Sequence, residues 1–377
     1  MIKKLFLGLK NYKKFRKKLD NNDIIFFSEG DHHWAHLKFL IPHCLKKFNV
    51  KYITLSSQDK GLNLSSKNFD SFFINNTFLL HLLFRNLNSN YVITSLPDLG
   101  KLYFKNFNNN KFIYVFHSLA STHLQYNSDA FDNFDIVLCA GPHHYREIRK
   151  AEKINKTNKK ILYNYGYPRL EEIYNISNSG KFLNKNKTIL IASSWGKNSI
   201  TNLCIDKILE NLINSNYKII YRPHSMSLIK NNGIIKNILK KFRKYKNFSI
   251  DKSNSTIENI LKADLMIADW GSTSADYIIT TKKPVIFIDT PAKIKNKSYK
   301  KIDESAFELE IRKDIGHVYK IEDIDNLLSI IANIINFRLS DREVKKFINK
   351  NIYNYLSSHD NWKRIFNLIT NEKTSLK

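Results

Sequence analysis

Cysteine, glycine, proline and acidic side chains are all scarce in this chain of 377 residues. Three cysteines (Cys44, Cys139 and Cys204) lie far apart in apolar surroundings, with no CxxC. An odd count at such spacing points to buried free thiols in a reducing compartment. Only 11 glycines and 7 prolines punctuate the chain. That argues against an array of tight β-turns and for strands alternating with helices. No apolar run reaches the roughly 18 residues of a spanning helix. The N-terminal LFLGL is shorter than the roughly 7–15-residue apolar core of a secretory signal. There is no Walker A sequence and no GxGxxG, so ATP and NAD folds lack support. Zinc knuckles, RNP-like aromatic motifs and helix-turn-helix patterns are missing too, which weakens a nucleic-acid reading.

What is present is positive charge and apolar bulk. Sixty-one basic residues face 34 acidic ones, a net charge of +27. Such a field attracts polyanions: nucleic acid, an anionic bilayer or a phosphate-rich substrate. Its sign does not choose among them, and heavy use of Asn, Lys and Ile is also what an AT-rich coding sequence produces. A 42% hydrophobic and 13% aromatic content can fill real cores and excludes wholesale disorder.

Residues 1–19 form a basic amphipathic segment. Leu5, Leu9, Tyr12, Phe15 and Leu19 fall at helical spacing, and no acid precedes Asp20. Such a helix suits an anionic interface. It would equally serve as a solvated first helix packed on its own domain. From 20 to 174 the pattern alternates strand-like runs (24–30, 52–57, 91–95, 111–118, 134–141, 160–166) with helical ones, the sign of a parallel sheet covered on both faces. A polar stretch, 175–187, reads as a linker. The rhythm restarts over 188–345 with runs at 188–196, 217–224, 248–251, 265–272 and 284–289, and 346–377 reads as C-terminal helices. The expected fold is therefore α/β, with two facing Rossmann-like domains, a cleft between them and helices at the C-terminus.

Polar clusters fall at the carboxyl ends of predicted strands, where open α/β sheets bind ligands. After LMIA comes Asp269, then Gly271-Ser272-Thr273-Ser274 opening a helix. Backbone N–H groups, hydroxyls and the helix dipole there suit an anion. Asp269 could pair with a cation, cap backbone N–H groups or bind a substrate hydroxyl. Thr273 and Asp276 fit a capping box. Ser193-Ser194-Trp195-Gly196 is a second small-residue turn, read either as a phosphate-binding loop or as a plain connection with Trp195 in the core. Arg222-Pro223-His224 ends another strand: Arg222 offers a fork of donors to phosphate oxygens, and His224 can donate to a phosphate or exchange a proton. In the first half, His117 ends KFIYVF and is placed to take a proton from an attacking hydroxyl. Asp31-His32-His33-Trp34-Ala35-His36 follows the first strand. His32 and His36 have zinc-like i,i+4 spacing, but no HExxH accompanies them. The cluster reads either as acceptor-binding residues, with His32 and His33 assigned to that role, or as plain packing at a helix start; no metal or cofactor is expected.

The second half resembles the CDP-glycerol:poly(glycerophosphate) glycerophosphotransferase family, which builds teichoic acid and related capsule polymers. The family's His-Gly looks like His117-Ser118. Its Gly-x-Pro-Arg looks like Gly166-Tyr167-Pro168-Arg169, and its Ala-Pro-Thr-Trp-Arg turn corresponds loosely to Ala192 through Gly196. Its strand-ending His resembles His224. Its Asp-Tyr-Ser-Ser and following Lys-Pro-Ile-Ile-Phe look like Asp269 through Ser272 and Lys283 through Phe287. The ordered series covers residues 111–291. Ser118, Gly196 and Gly271 depart from the pattern. The resemblance implies a GT-B fold, peripheral membrane association and a CDP-alditol donor held by the C-terminal domain. The free thiols and the lack of a spanning run or secretory signal make the cytoplasm, at the inner face of the membrane, the expected location. The expected activity is transfer of glycerol phosphate to a hydroxyl of a cell-surface glycan or lipid-linked acceptor. His117 and His224 would be catalytic, with Arg222, Asp269, Gly271, Ser272, Thr273, Ser193 and Ser194 binding the donor. The rivals are a GT-B glycosyltransferase using a nucleotide sugar and a non-enzymatic polyanion-binding protein.

Overall fold

In the computed structural model, the described residues are 2–372 apart from 86, 88, 90, 102–109, 180–185, 231 and 254. Part of the expected linker, 180–185, lies outside them. The chain divides into two units. One comprises Met1–Arg169, Asn296–Glu304 and Ile352–Lys377; the other comprises Leu170–Lys295 and Ser305–Asn351.

The first unit is built on a seven-stranded sheet: β1 (Ile24–Ser28), β2 (Val50–Thr54), β3 (Phe69–Phe73), β4 (Tyr91–Thr94), β5 (Lys111–Val115), β6 (Ile136–Cys139) and β7 (Ile161–Asn164). The order is β3-β2-β1-β4-β5-β6-β7, and every pairing is parallel. Strand β3 is hidden in the sequence, because FDSFF runs almost directly into the apolar helix Thr77–Arg85 and the two merge into one featureless run. Alternate strand residues (Ile24 and Phe26, Val50 and Tyr52, Tyr91 and Ile93, Ile113 and Val115) line one face of the core. The period of two is what a pleated strand dictates. The last helix, Ser358–Glu372, covers this face. Trp362 is fully buried and donates its indole N–H to the Leu40 carbonyl at 3.3 Å, while the Tyr91 hydroxyl donates to the Ile369 carbonyl at 2.9 Å. The chain's end is therefore part of the first unit's core, not an appendage to the second.

The second unit carries six strands: β8 (Thr188–Ala192), β9 (Lys218–Arg222), β10 (Phe248–Ile250), β11 (Leu265–Ala268), β12 (Val285–Ile288) and β13 (His317–Tyr319). The order is β10-β9-β8-β11-β12-β13, again parallel throughout. Ile189, Ile191, Leu265, Ile267, Ile286 and Ile288 pack against Ile205, Ile208, Leu209 and Leu212 of the helix Ile205–Leu212. Each such side chain contributes about 1.5–3 kcal/mol by leaving water. Strand β13 lies beyond the last strand-like run read from the sequence, 284–289. It has only three residues and sits at the sheet edge, too short to show a period.

All three cysteines are buried and unpaired. Among the described residues, no helix is long and apolar enough to cross a membrane. The first helix, Ile2–Lys18, leans on β3: Phe15 is buried edge-on to Phe72 at 5.2 Å, and Asn11 donates to the Phe73 carbonyl at 2.9 Å.

Gly166 joins β7 to the helix Pro168–Ser177 at φ +104°, a region L side chains avoid. A Cβ there would stand 2.5 Å from Ser358 Oγ and 2.6 Å from the Tyr353 carbonyl. Gly166→Ala is expected to lower unfolding free energy by about 1–3 kcal/mol from backbone strain alone, with the clash adding to it. Urea titration checks this, and an unchanged midpoint would contradict it.

Candidate functional site

In each sheet the strand order reverses once, between β1 and β4 and between β8 and β11. At such a point adjacent connections leave toward opposite faces and open a crevice beyond the strand ends. The polar clusters singled out from the sequence fall at or beside these two points.

In the first unit, β4 and β5 are parallel neighbours with Thr94 opposite Tyr114. Their continuations bring Ser95 and His117 together. His117 Nδ1 lies 3.0 Å from the Ser95 carbonyl. A carbonyl only accepts, so Nδ1 carries the proton and the neutral ring keeps a lone pair on Nε2. The Tyr114 hydroxyl, 3.4 Å from Nδ1, is a longer contact to the same atom. Burial, followed by the charge of nearby His33, pushes the His117 pKa down to about 4. The ring is neutral at pH 7, as a general base must be. The Tyr167 hydroxyl donates to the His117 carbonyl at 3.1 Å, fixing the backbone behind the ring.

Around His117 the structure gathers more imidazole than the sequence foretells. The His33 ring centroid is 5.9 Å away and the His36 centroid 6.3 Å. His36 stacks on Tyr167 at 5.7 Å, and its pKa is lowered by burial and then by the Arg169 charge. His33 is buried, with Nδ1 against the Ser95 hydroxyl. Ser95 therefore contacts two histidines, one through its carbonyl and one through its side chain. His32 is exposed, with its ring 4.2 Å from that of His33. Ser118 Oγ accepts the Ala120 N–H at 3.3 Å, a local turn contact.

In the second unit Asp269 is almost fully buried. One carboxylate oxygen accepts the Ser194 N–H at 2.8 Å and the other the Ile200 N–H at 2.9 Å. Of the three roles open to it from sequence, the structure shows the capping of backbone N–H groups: Asp269 ties the loop after β8 to the turn after β11. Ser193 Oγ accepts from Thr201 N–H at 3.1 Å and contacts Thr201 Oγ1 at 2.8 Å, while Thr201 Oγ1 meets the Tyr221 hydroxyl at 2.7 Å. The Ser193 side chain is thus engaged inside the loop. Trp195 is half-buried rather than core, with the Lys230 and Lys293 ammonium groups 5.4 and 5.1 Å from its ring centroid and the His224 ring 6.3 Å away. His224 Nδ1 accepts the Met226 N–H at 3.1 Å, which leaves the ring's proton on Nε2. Gly271, Ser272 and Thr273 open the helix Thr273–Thr281 as half-buried residues. The expected capping box is not formed: Ser272 is the N-cap without a side-chain bond, and Ser274 Oγ donates to the Gly271 carbonyl at 2.8 Å.

Arg222 is placed differently from its expected phosphate role. Its guanidinium pairs with Asp251 and donates to the Ser253 carbonyl at 2.9 Å and Ser253 Oγ at 3.2 Å. The fork is engaged in clamping the loop after β10, a partnership thirty residues away that no local pattern reveals. Arg312, which sequence reasoning passed over, is buried with its guanidinium 4.4 Å over the Trp270 ring. One amino group donates to Asp289 at 2.5 Å, and the other has no hydrogen-bond partner among the described residues.

The sequence pattern of the CDP-glycerol:poly(glycerophosphate) glycerophosphotransferase family matches residues 11–371, and the chain belongs to that family of enzymes. No curated protein sequence matches it. Among solved structures it resembles the wall teichoic acid polymerase TagF, with 15% identity over 100% of this chain and 99% of that one and a TM-score of 0.55. It also resembles the S. aureus MnaA–UDP co-structure (10% identity, 94% of this chain, 97% of that one, TM-score 0.57). A third likeness is sucrose-phosphate synthase from Thermosynechococcus elongatus (9%, 94%, 100%, 0.57). At these identities the likeness shows the fold, which is GT-B.

Two outcomes are expected. Asp269→Ala removes two charge-assisted bonds and strands two buried N–H groups, so it should cost at least about 2 kcal/mol, read by chemical denaturation; an unchanged value would contradict the tether. Second, His36, His117, His143 and His144 all have pKa values lowered, by burial first. Their stabilising contribution is complete above the ordinary imidazole value of 6.5 and is lost as pH falls through the folded values, about 4 for His117. The urea midpoint should therefore drop steadily from pH 6.5 toward pH 4, and a flat profile over that window would contradict the assignment.

Proposed function

We propose that the protein transfers glycerol phosphate from CDP-glycerol to a hydroxyl of a cell-surface polymer or its lipid-linked precursor, releasing CMP. The acceptor oxygen attacks the phosphorus that bears the glycerol. The bond from that phosphorus to the bridging oxygen breaks, and the electron pair leaves with CMP. His117 Nε2 takes the acceptor's proton. His224, with its proton on Nε2 and two lysines beside the neighbouring Trp195, supplies positive character to the departing phosphate. Backbone N–H groups and hydroxyls of Gly271, Ser272 and Thr273 receive diphosphate oxygens at a helix start. Asp269, Ser193 and Ser194 hold the two turns in register, a positioning role. Arg222 steadies the loop after β10. His32 and His33 are assigned to the acceptor. One observation carries this reading: the 3.0 Å contact from His117 Nδ1 to the Ser95 carbonyl, which leaves Nε2 as a base. Family membership over 11–371 supplies the donor class, and a TagF variant was soaked with CDPG.

The first helix supports a place at a membrane surface. Phe6, Leu7 and Leu9 are exposed (66%, 46% and 38%), as is Phe78 at 68% on the helix Thr77–Arg85 that packs beside it. Arg16, Lys17 and Lys18 close the basic end. Apolar tips among lysines suit the headgroup region of an anionic bilayer. Co-sedimentation with phosphatidylglycerol vesicles should be salt-sensitive and should fall sharply in Phe6→Asp/Phe78→Asp; binding unchanged by that pair of substitutions would reject this face.

The activity test is product analysis. With CDP-glycerol and a glycerol-phosphate primer, wild type should release CMP and extend the primer, and His117→Ala and His224→Ala should each lower kcat by ~10²–10⁴ with unchanged folding. Release of UDP from a nucleotide sugar, with none of CMP from CDP-glycerol, would overturn the proposal.

A further inference from the structure

We propose that Glu29, His32 and His33 form a binding site for a divalent transition-metal ion. Spacing in the sequence pairs His32 with His36, and on that pairing no metal is expected. The structure rearranges the set. His36 turns to stack on Tyr167, while Glu29, from the end of β1, meets His32 and His33 from the first turn of the helix Asp31–Leu37. One ligand atom from each of the three lies within 4.8 Å of the others.

The His33–Glu29 contact carries the argument. Ser95 Oγ can accept from His33 Nδ1–H, and in that tautomer the lone pair is on Nε2. That nitrogen faces a Glu29 carboxylate oxygen at 3.6 Å. In that tautomer two lone-pair atoms face each other, further apart than the roughly 2.7–3.2 Å of a hydrogen bond. The separation is close to that of two ligands sharing one ion at about 2.0–2.1 Å in tetrahedral geometry, about 3.4 Å. The outer bond from Nδ1 to a serine is the support a metal-bound imidazole usually has. Two imidazoles and one carboxylate suit zinc, cobalt or nickel better than magnesium or calcium. Three protein ligands leave at least one position open. His32 is exposed and Glu29 half-buried, so an ion has a way in. The rival is a His33 with its proton on Nε2, paired with Glu29 and no metal.

The test uses the full chain, stripped with chelator and titrated with Co²⁺ while the visible d–d absorption is followed. One equivalent should give a saturating signal, and excess Zn²⁺ should abolish it. His32→Ala, which alters an exposed ring, and Glu29→Gln should each weaken binding at least about tenfold. His43→Ala should titrate like wild type; it removes one of the pair His43–His359, whose Nε2 atoms lie 3.0 Å apart and which is the competing imidazole pair. Absence of signal at one equivalent would overturn the proposal. So would a wild-type titration in His32→Ala, or loss of signal in His43→Ala.

Discussion

The 3.0 Å contact between His117 Nδ1 and the Ser95 carbonyl exists because two neighbouring strands run in the same direction. In a parallel pair both chains leave the sheet at one edge, so residues just beyond β4 and β5 become neighbours without any loop having to bring them together. That edge also receives Glu29 from β1. A carbonyl that can only accept then fixes the tautomer, burial keeps the ring uncharged, and the neighbouring His33 adds to the cost of charging it. The chemistry assigned to His117 is a consequence of strand direction and register before it is a property of the residue.

The second unit uses the same edge differently. Asp269 is a charged residue at the end of β11, yet both carboxylate oxygens are engaged by backbone N–H groups of the loop after β8. It therefore ties two turns together across the sheet reversal. Arg222 follows the same logic at β9 and β10. The polar residues with the most directional side chains hold loops, while the turn 271–273, His224 and Trp195 stay half-buried. Positioning of this kind is where a phosphoryl-transfer enzyme gains most of its rate.

Much of this was legible in the chain. Runs such as IIFFS, TILIA and VIFI announce buried parallel strands by β-branched and aromatic content, and the small-residue turns after TILIA and LMIA mark where those strands end. Three kinds of feature were not legible. Strand β3 merges with the apolar helix behind it, and β13 is too short to show a period. The pairing of the last helix with the first sheet depends on Trp362 meeting Leu40, more than three hundred residues away. The parts played by Ser95, Glu29, Arg312 and Arg222 arise from contacts across strands, which single-chain periodicity does not record. His117 and His224, by contrast, stand immediately after their strands and could be named at once.

The most direct test is the protonation state of His117 itself. Long-range ¹H–¹⁵N correlation spectra of ¹⁵N-histidine protein, assigned by comparison with His117→Gln, would report both ring nitrogens. The expected result is a neutral ring at pH 7 with the proton on Nδ1 and an unprotonated Nε2, persisting to near pH 4. An Nε2–H tautomer, or an imidazolium at pH 7, would contradict it.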